Sequence, residues 1–224
     1  ETLPIYVSYL FSLFVYVVIV NAINLIDGVD GLAGGWGVIA MAAFTYWFHL
    51  TNQPEAAIVA ASLGGSLLGF LIFNFHPARI FMGDSGALIV GLITFVLAVK
   101  VIGTPYEAIP DFLHGVSKPV LAMGILAYPL VDTIRVFFIR LFRGGSPFSP
   151  DNLHIHHLLI GKGLGHRKTS IIIWICSVFF SIISFISINS ISSFLNPTTH
   201  FLAYMSFAIL IGALPNVLPK LRKK

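Results

Sequence analysis

The sequence predicts an all-α, polytopic integral membrane protein with about seven membrane-crossing helices, and three observations predict it. Of 224 residues, 57% are hydrophobic and 10% are charged, with a mean hydropathy of +0.91. A soluble domain carries about 25% charged residues, and charge this sparse cannot cover a water-soluble surface of this size. Second, the apolar residues gather in stretches long enough to cross a bilayer core, which needs roughly 20 residues as a helix. Third, those runs do not alternate in the ten-residue pattern of a membrane barrel, so backbone groups in lipid must be satisfied within helices. The single cysteine, Cys176, excludes a disulfide scaffold. The apolar excess excludes disorder, and no repeat of 20–50 residues is visible.

The expected spans run approximately over 3–20, 32–50, 56–73, 87–102, 120–138, 170–188 and 201–218. The fourth is short and carries Lys100 near its end. Charge gives their orientation. Eleven of the 13 lysines and arginines fall on one alternating set of loops and span ends, and Lys100 and Lys118 on the other, so the first set is cytoplasmic. The net charge of +4 therefore reads as topology and not as nucleic-acid binding. The chain opens on Glu1, has no Met before Met41 and lacks a basic signal-peptide start. The expectation is one transmembrane domain over 1–224, the C-terminal portion of a longer protein.

Three polar clusters fall on the cytoplasmic side. The first span ends in Asn21-Ala-Ile-Asn24-Leu-Ile-Asp27-Gly28-Val-Asp30-Gly31. Asn21, Asn24, Asp27 and Asp30 recur every third residue and would share one drifting ridge of a helix, with Gly28 and Gly31 expected to break it. The second cluster runs from Asn74 through His76-Pro77 and Phe81 to Gly83-Asp84-Ser85-Gly86. The third runs from Ser146 through Asp151 to His154-Ile155-His156-His157. Singly, Asp27, Asp30 or Asp84 could cap a helix end. As a group at a membrane boundary, carboxylates are expensive and point to function. The His-x-His-His loop fits a metal ligand set, a phosphate contact or a solvated polar loop equally well. Asp132 and Arg135, spaced i,i+3, read as a structural ion pair.

Carboxylates suit magnesium, which is held by one or two of them together with substrate phosphates. Alone they would repel a diphosphate, and an intervening cation reverses the local sign. The second and fourth spans start just after Asp30 and Asp84, which aims their helix N-termini at the same face. Together these features form a cradle for a phosphorylated cytosolic substrate. Phe81 offers a flat surface for a nucleobase.

The motifs Asn-Ala-Ile-Asn-Leu-Ile-Asp-Gly-Val-Asp-Gly-Leu, Phe-Met-Gly-Asp-Ser-Gly and Ser-Pro-Phe-Ser-Pro-Asp…His-Ile-His-His resemble those of the polyprenyl-phosphate N-acetylhexosamine-1-phosphate transferases. That family includes the phospho-MurNAc-pentapeptide translocase and the enzyme making undecaprenyl-diphospho-GlcNAc. The resemblance keeps the motif order over nearly the whole chain, and the Ser-Pro-Phe-Ser-Pro-Asp lead-in is more similar to the GlcNAc-1-phosphate branch. It implies that a polyprenyl phosphate attacks the β-phosphorus of a UDP-N-acetylhexosamine, with magnesium (or manganese in its place), and that UMP leaves. It implies catalytic roles for Asp27, Asp84, His154, His156 and His157, with Asp84 the magnesium ligand. It implies substrate-binding roles for Asn21, Asn24, Gly28, Asp30, Asn74 and Phe81, the last stacking on uracil. It also implies a multi-pass protein of the bacterial inner membrane with its site on the cytoplasmic face, and a homodimer as an available assembly. The family's Asp-Asp motif, on an earlier loop, has no counterpart in these residues.

Two other classes compete. A non-catalytic membrane remnant or subunit that binds lipid-linked sugars is motivated by the missing Asp-Asp pair. A transporter would use Asp27, Asp30 and Asp132 as a relay, but relay carboxylates belong near mid-membrane and at repeat interfaces, and no inverted repeat is visible.

Overall fold

The computed structural model describes residues 4–144, 146, 152–191 and 206. Among the described residues there are eight α-helices, two short 3₁₀ turns (Tyr106–Ala108 and Asp111–Leu113) and no strand. The helices are α1 (Ile5–Leu25), α2 (Leu32–Leu50), α3 (Pro54–Asn74), α4 (Gly83–Ile102), α5 (Lys118–Ile125), α6 (Ala127–Phe142), α7 (Ile155–Gly161) and α8 (Gly165–Ile191).

Helix α2 occupies the middle of the bundle. It packs on α3, α4 and α8, while α1 packs on α4 and α6. Trp36, Met41, Phe44, Trp47 and Phe48 on α2 are fully enclosed. Small residues permit these approaches, because lipid supplies no hydrophobic drive between helices and close van der Waals contact must replace it. At Gly35 an added Cβ would land inside the Trp174 ring of α8, and at Gly91 it would stand 2.9 Å from the Val20 backbone of α1.

Four helices are long and apolar enough to cross a membrane: α1, α3, α4 and the first 21 residues of α8. The α5–α6 pair makes a fifth if it is counted as one broken span. Two of the seven expected spans differ from expectation, and a third is not tested. The stretch 32–50 forms a helix but falls short of a lipid-facing composition, because α2 is sheathed by other helices and carries glycines, tryptophans and Thr45. The single span expected over 120–138 is two helices bent by 77° at Leu126. Pro129 has no N–H for the carbonyl of Ile125, the last residue of α5, and its ring crowds that carbonyl. The seventh stretch, 201–218, lies outside the described residues apart from Ser206.

The outward face of α1 is apolar along its length, with Tyr6, Leu10, Phe11 and Phe14 all exposed. A continuous apolar face of this size suits lipid and not water. At the end away from the polar clusters, Thr104 ties the bundle together: its hydroxyl accepts from Trp47 Nε1 at 3.1 Å and from Gln53 Nε2 at 3.2 Å, and its carbonyl accepts from Lys118 Nζ at 2.7 Å.

Candidate functional site

Helix α1 stops at Leu25, three residues before Gly28. Asp27 and Asp30 are therefore loop residues, not members of a helical ridge, which corrects the expected extension of that helix. The loop closes through two short turns, from Asp27 N–H to the Asn24 carbonyl (3.2 Å) and from Leu32 N–H to the Val29 carbonyl (2.9 Å). Gly31 carries the turn into α2 at φ +74°, a conformation that side chains disfavour. Its N–H donates to Asn74 Oδ1 at 3.0 Å, and Asn74 Nδ2 donates to the Ile80 carbonyl at 2.9 Å. Buried Asn74 thus joins the first polar loop to the second. The resemblance implies a nucleotide contact for Asn74; here both ends of its amide are engaged in this join.

Asp30 faces the same second loop. Its Oδ2 lies 2.7 Å from His76 Nδ1 and accepts from Ala78 N–H at 3.3 Å, while Oδ1 stands 3.5 Å from His166 Nδ1 at the start of α8. Burial pushes the Asp30 carboxyl up, but the His76 and Ala78 hydrogen bonds and the two imidazoles outweigh it and hold the group below the usual carboxylate range. Ser170 Oγ adds a bond to the Asp30 carbonyl at 2.8 Å. Neither His76 nor His166 was singled out as a site residue. His76 was legible only as part of a His-Pro step, and His166 carried no signal at all.

Asp27 sits beside the N-terminus of α4. Its pKa is raised to about 6, chiefly by burial and further by the neighbouring Asp84, against a lowering hydrogen bond from the Gly83 backbone. Asp84 itself is exposed, in the first turn of α4 and two residues past Met82, which holds the N-cap position. Two carboxylates drawn together at a helix N-terminus, one of them reluctant to ionise, form a donor set of hard oxygens suited to a divalent cation.

The third loop arrives from α6. Asp132, fully buried, accepts from Ile155 N–H at 2.8 Å and lies 3.0 Å from His154 Nδ1. The expected Asp132–Arg135 pair is present at 3.8 Å, and Arg135 also donates to the Leu153 carbonyl at 2.7 Å. Sequence spacing found the pair but not its work, which is to hold the histidine segment against α6. His156 Nδ1 lies 3.2 Å from the Tyr128 hydroxyl. Burial, followed by a raising influence of Asp132 and lowering ones of His157 and His154, brings the His156 pKa down to about 4. Its Nε2 is buried without a hydrogen-bond partner among the described residues and would stand 3.2 Å from a Cβ on Gly28. His157 Nε2 approaches the same point at 3.8 Å.

The three polar clusters therefore meet: Gly31 on Asn74, Asp30 on His76, Asp27 on Gly83, and Gly28 on His156 and His157. Phe81 stands at this end, 77% exposed and free to present a ring face. Asn24 is half-buried, and Asn21 Nδ2 donates to the Val17 carbonyl of its own helix at 2.7 Å. Residues 147–151 of the Ser-Pro-Phe-Ser-Pro-Asp lead-in lie outside the described residues. An apolar groove between α2 and α8, lined by Val38, Ala42, Tyr46, Val178 and Ile182 among others, lies farther along α2 and holds no charged side chain.

Comparison with known proteins matches the first two clusters and the helices that carry them to the model of glycosyl transferase family 4. The match covers residues 1–102, a little under half of the 224 residues. The family 4 match spans α1 to α4 and so includes Asp27, Asp30, Asn74 and Asp84. Beyond it, the chain is 36% identical over 171 residues to the decaprenyl-phosphate N-acetylglucosaminephosphotransferase of Mycobacterium leprae, covering 75% of this chain and 42% of that protein. It is 36% identical over 117 residues to a probable undecaprenyl-phosphate N-acetylglucosaminyl 1-phosphate transferase of Bacillus subtilis, covering 52% of this chain and 30% of that protein. It is 31% identical over 144 residues to the undecaprenyl-phosphate alpha-N-acetylglucosaminyl 1-phosphate transferase of Escherichia coli, covering 62% and 37%. The chain spans less than half the length of these curated relatives.

Proposed function

We propose that the protein carrying this chain transfers N-acetylglucosamine 1-phosphate from UDP-GlcNAc to a polyprenyl phosphate on the cytoplasmic face of a bacterial inner membrane. The observation that carries the reading is the meeting of Asp27, Asp84, His156 and His157 around the Gly28 turn at one end of an apolar bundle. The names of the relatives support the same donor fragment and acceptor class. In the reaction an oxygen of the polyprenyl phosphate forms a bond to the β-phosphorus of the UDP-sugar. The bond from that phosphorus to the bridging oxygen breaks, and the electron pair leaves with UMP. The nucleophile is already anionic, so positioning and charge neutralisation supply most of the catalysis.

Asp84, with Asp27 beside it, would hold magnesium. The fit rests on the donor chemistry: two hard-oxygen carboxylates at the N-terminus of α4, close enough for the charge of Asp84 to act on Asp27. When bound, the ion would neutralise the diphosphate. Neutral His156 and its neighbour His157 approach Gly28, where a hydrogen-bonding imidazole can steady a phosphate oxygen. Exposed Phe81 would stack on uracil, and Asn74 and Asp30 would shape the nucleotide side by fixing the two loops against each other.

The test is Asp84→Asn in the complete protein, assayed for magnesium-dependent UMP release from UDP-GlcNAc with a polyprenyl phosphate acceptor. The variant is expected to lose at least about 100-fold, the scale of removing one key electrostatic contact from a preorganised site. Retained turnover overturns the role of Asp84. Binding of UDP-GlcNAc by the unsubstituted protein without any UMP release favours the non-catalytic lipid-linked-sugar binder instead.

A further inference from the structure

We propose that Asp30, His76 and His166 form a binding site for a borderline divalent cation of the zinc class, placed where three segments of the chain meet. Asp30 comes from the α1–α2 loop, His76 from the α3–α4 loop and His166 from the first turn of α8. One ligand atom from each lies within 4.8 Å of the other two. The two carboxylate oxygens divide between the imidazoles, Oδ2 at 2.7 Å from His76 Nδ1 and Oδ1 at 3.5 Å from His166 Nδ1.

Zinc binds imidazole nitrogen and carboxylate oxygen at about 2.0–2.2 Å, so two of its tetrahedral ligand atoms stand roughly 3.3 Å apart. The His166 separation already meets that spacing. The His76 separation is that of a shared proton, and replacing the proton by a metal opens it by about half an ångström, a small side-chain movement for a ring that is 44% exposed. The His76 and His166 rings stack at 28° with centroids 5.6 Å apart, both are partly exposed at 44% and 41%, and the contact that His166 Nδ1 accepts from the Asp30 N–H is long, at 3.5 Å. Two histidines and one carboxylate leave the fourth position free for water or an anion, as in open zinc sites.

The donor chemistry separates this site from the carboxylate pair of Asp27 and Asp84. Magnesium prefers oxygen ligands in octahedral geometry, whereas imidazole suits zinc, copper and nickel. A metal here would bind together segments that are otherwise joined by hydrogen bonds alone, and would stiffen the loop that carries Asp27. The inference does not rest on the transferase reading, because its test reads metal binding directly.

The experiment uses the full-length protein in detergent, stripped with a chelator and titrated with Zn²⁺ against a chromophoric competitor. Co²⁺ is added in parallel, and its visible absorption is recorded. The unsubstituted protein is expected to take up one equivalent of Zn²⁺ and to give the intense Co²⁺ bands of a tetrahedral site. His166→Arg keeps a cation facing Asp30 but cannot act as a ligand. It is expected to weaken Zn²⁺ binding by more than the roughly 10–100-fold that follows loss of an outer-shell partner. Thermal unfolding of the metal-free variant checks that its fold is kept. His76→Gln, which retains a hydrogen-bond donor for Asp30, supplies the same readout if His166→Arg does not fold. Asp84→Asn is expected to bind Zn²⁺ unchanged. Undiminished Zn²⁺ binding in both histidine variants, loss of it in Asp84→Asn, or no uptake at micromolar Zn²⁺ overturns the proposal.

Discussion

Replacing Asp132 by Ala tests whether one buried carboxylate holds the histidine segment in place. Asp132 is fully buried and accepts from Ile155 N–H at 2.8 Å, with His154 Nδ1 at 3.0 Å and the Arg135 guanidinium at 3.8 Å. Removing it leaves a buried backbone N–H unpaired, which costs about 1–3 kcal/mol. It also removes the carboxylate that stands 3.8 Å from the Arg135 guanidinium, whose side chain is only 9% exposed. Breaking a buried pair from one side costs about 3–5 kcal/mol, and the two losses overlap because one carboxylate supplies both, so about 3–5 kcal/mol is expected in all. Asp132→Asn keeps an oxygen for Ile155 and loses only the charge, so it should fall between the unsubstituted protein and the Ala variant. Denaturant unfolding of the purified full-length protein measures the stability loss, and UMP release measures the effect on the site, since the segment carrying His156 and His157 loses its Asp132 anchor on α6. An Asp132→Ala protein as stable and as active as the unsubstituted one would refute the reasoning.

Two further outcomes follow from the geometry. His156 has its folded pKa depressed from 6.5 to about 4 by burial, so the unfolded chain takes up its proton first as the pH falls. This group costs no stability above pH 6.5 and a growing amount as the pH drops from 6.5 to 4, up to roughly 3 kcal/mol. Unfolding measured across that range should therefore be flatter with pH in His156→Asn than in the unsubstituted protein, and parallel curves would contradict the burial of the ring. Gly35→Ala places a methyl group inside the Trp174 ring, which must move and give up its bond to the Leu32 carbonyl. Overpacking of this kind costs about 1–3 kcal/mol, read as a lowered unfolding midpoint. Gly69→Ala, which meets nothing within 4 Å, is the matched control.

Composition and the long apolar runs determined the all-α membrane class, because charge this sparse and helices this apolar admit few other solvents. The same reading located the three polar clusters, since polar residues at the ends of apolar spans stand out in one dimension. The spacing of Asp132 and Arg135 and the glycines at 28 and 31 were legible for the same reason: they act over one or two turns. Only the tertiary structure decided the rest. Helix α2 is central because Gly35 admits Trp174 from a helix far along the chain. Asn74 became a join between loops, and Asp30 found His166 across 136 residues of sequence. Those partnerships depend on how helices pack side by side. No periodicity along the chain records that, because the periodic signal fixes which face of a helix is apolar and not which neighbour covers it.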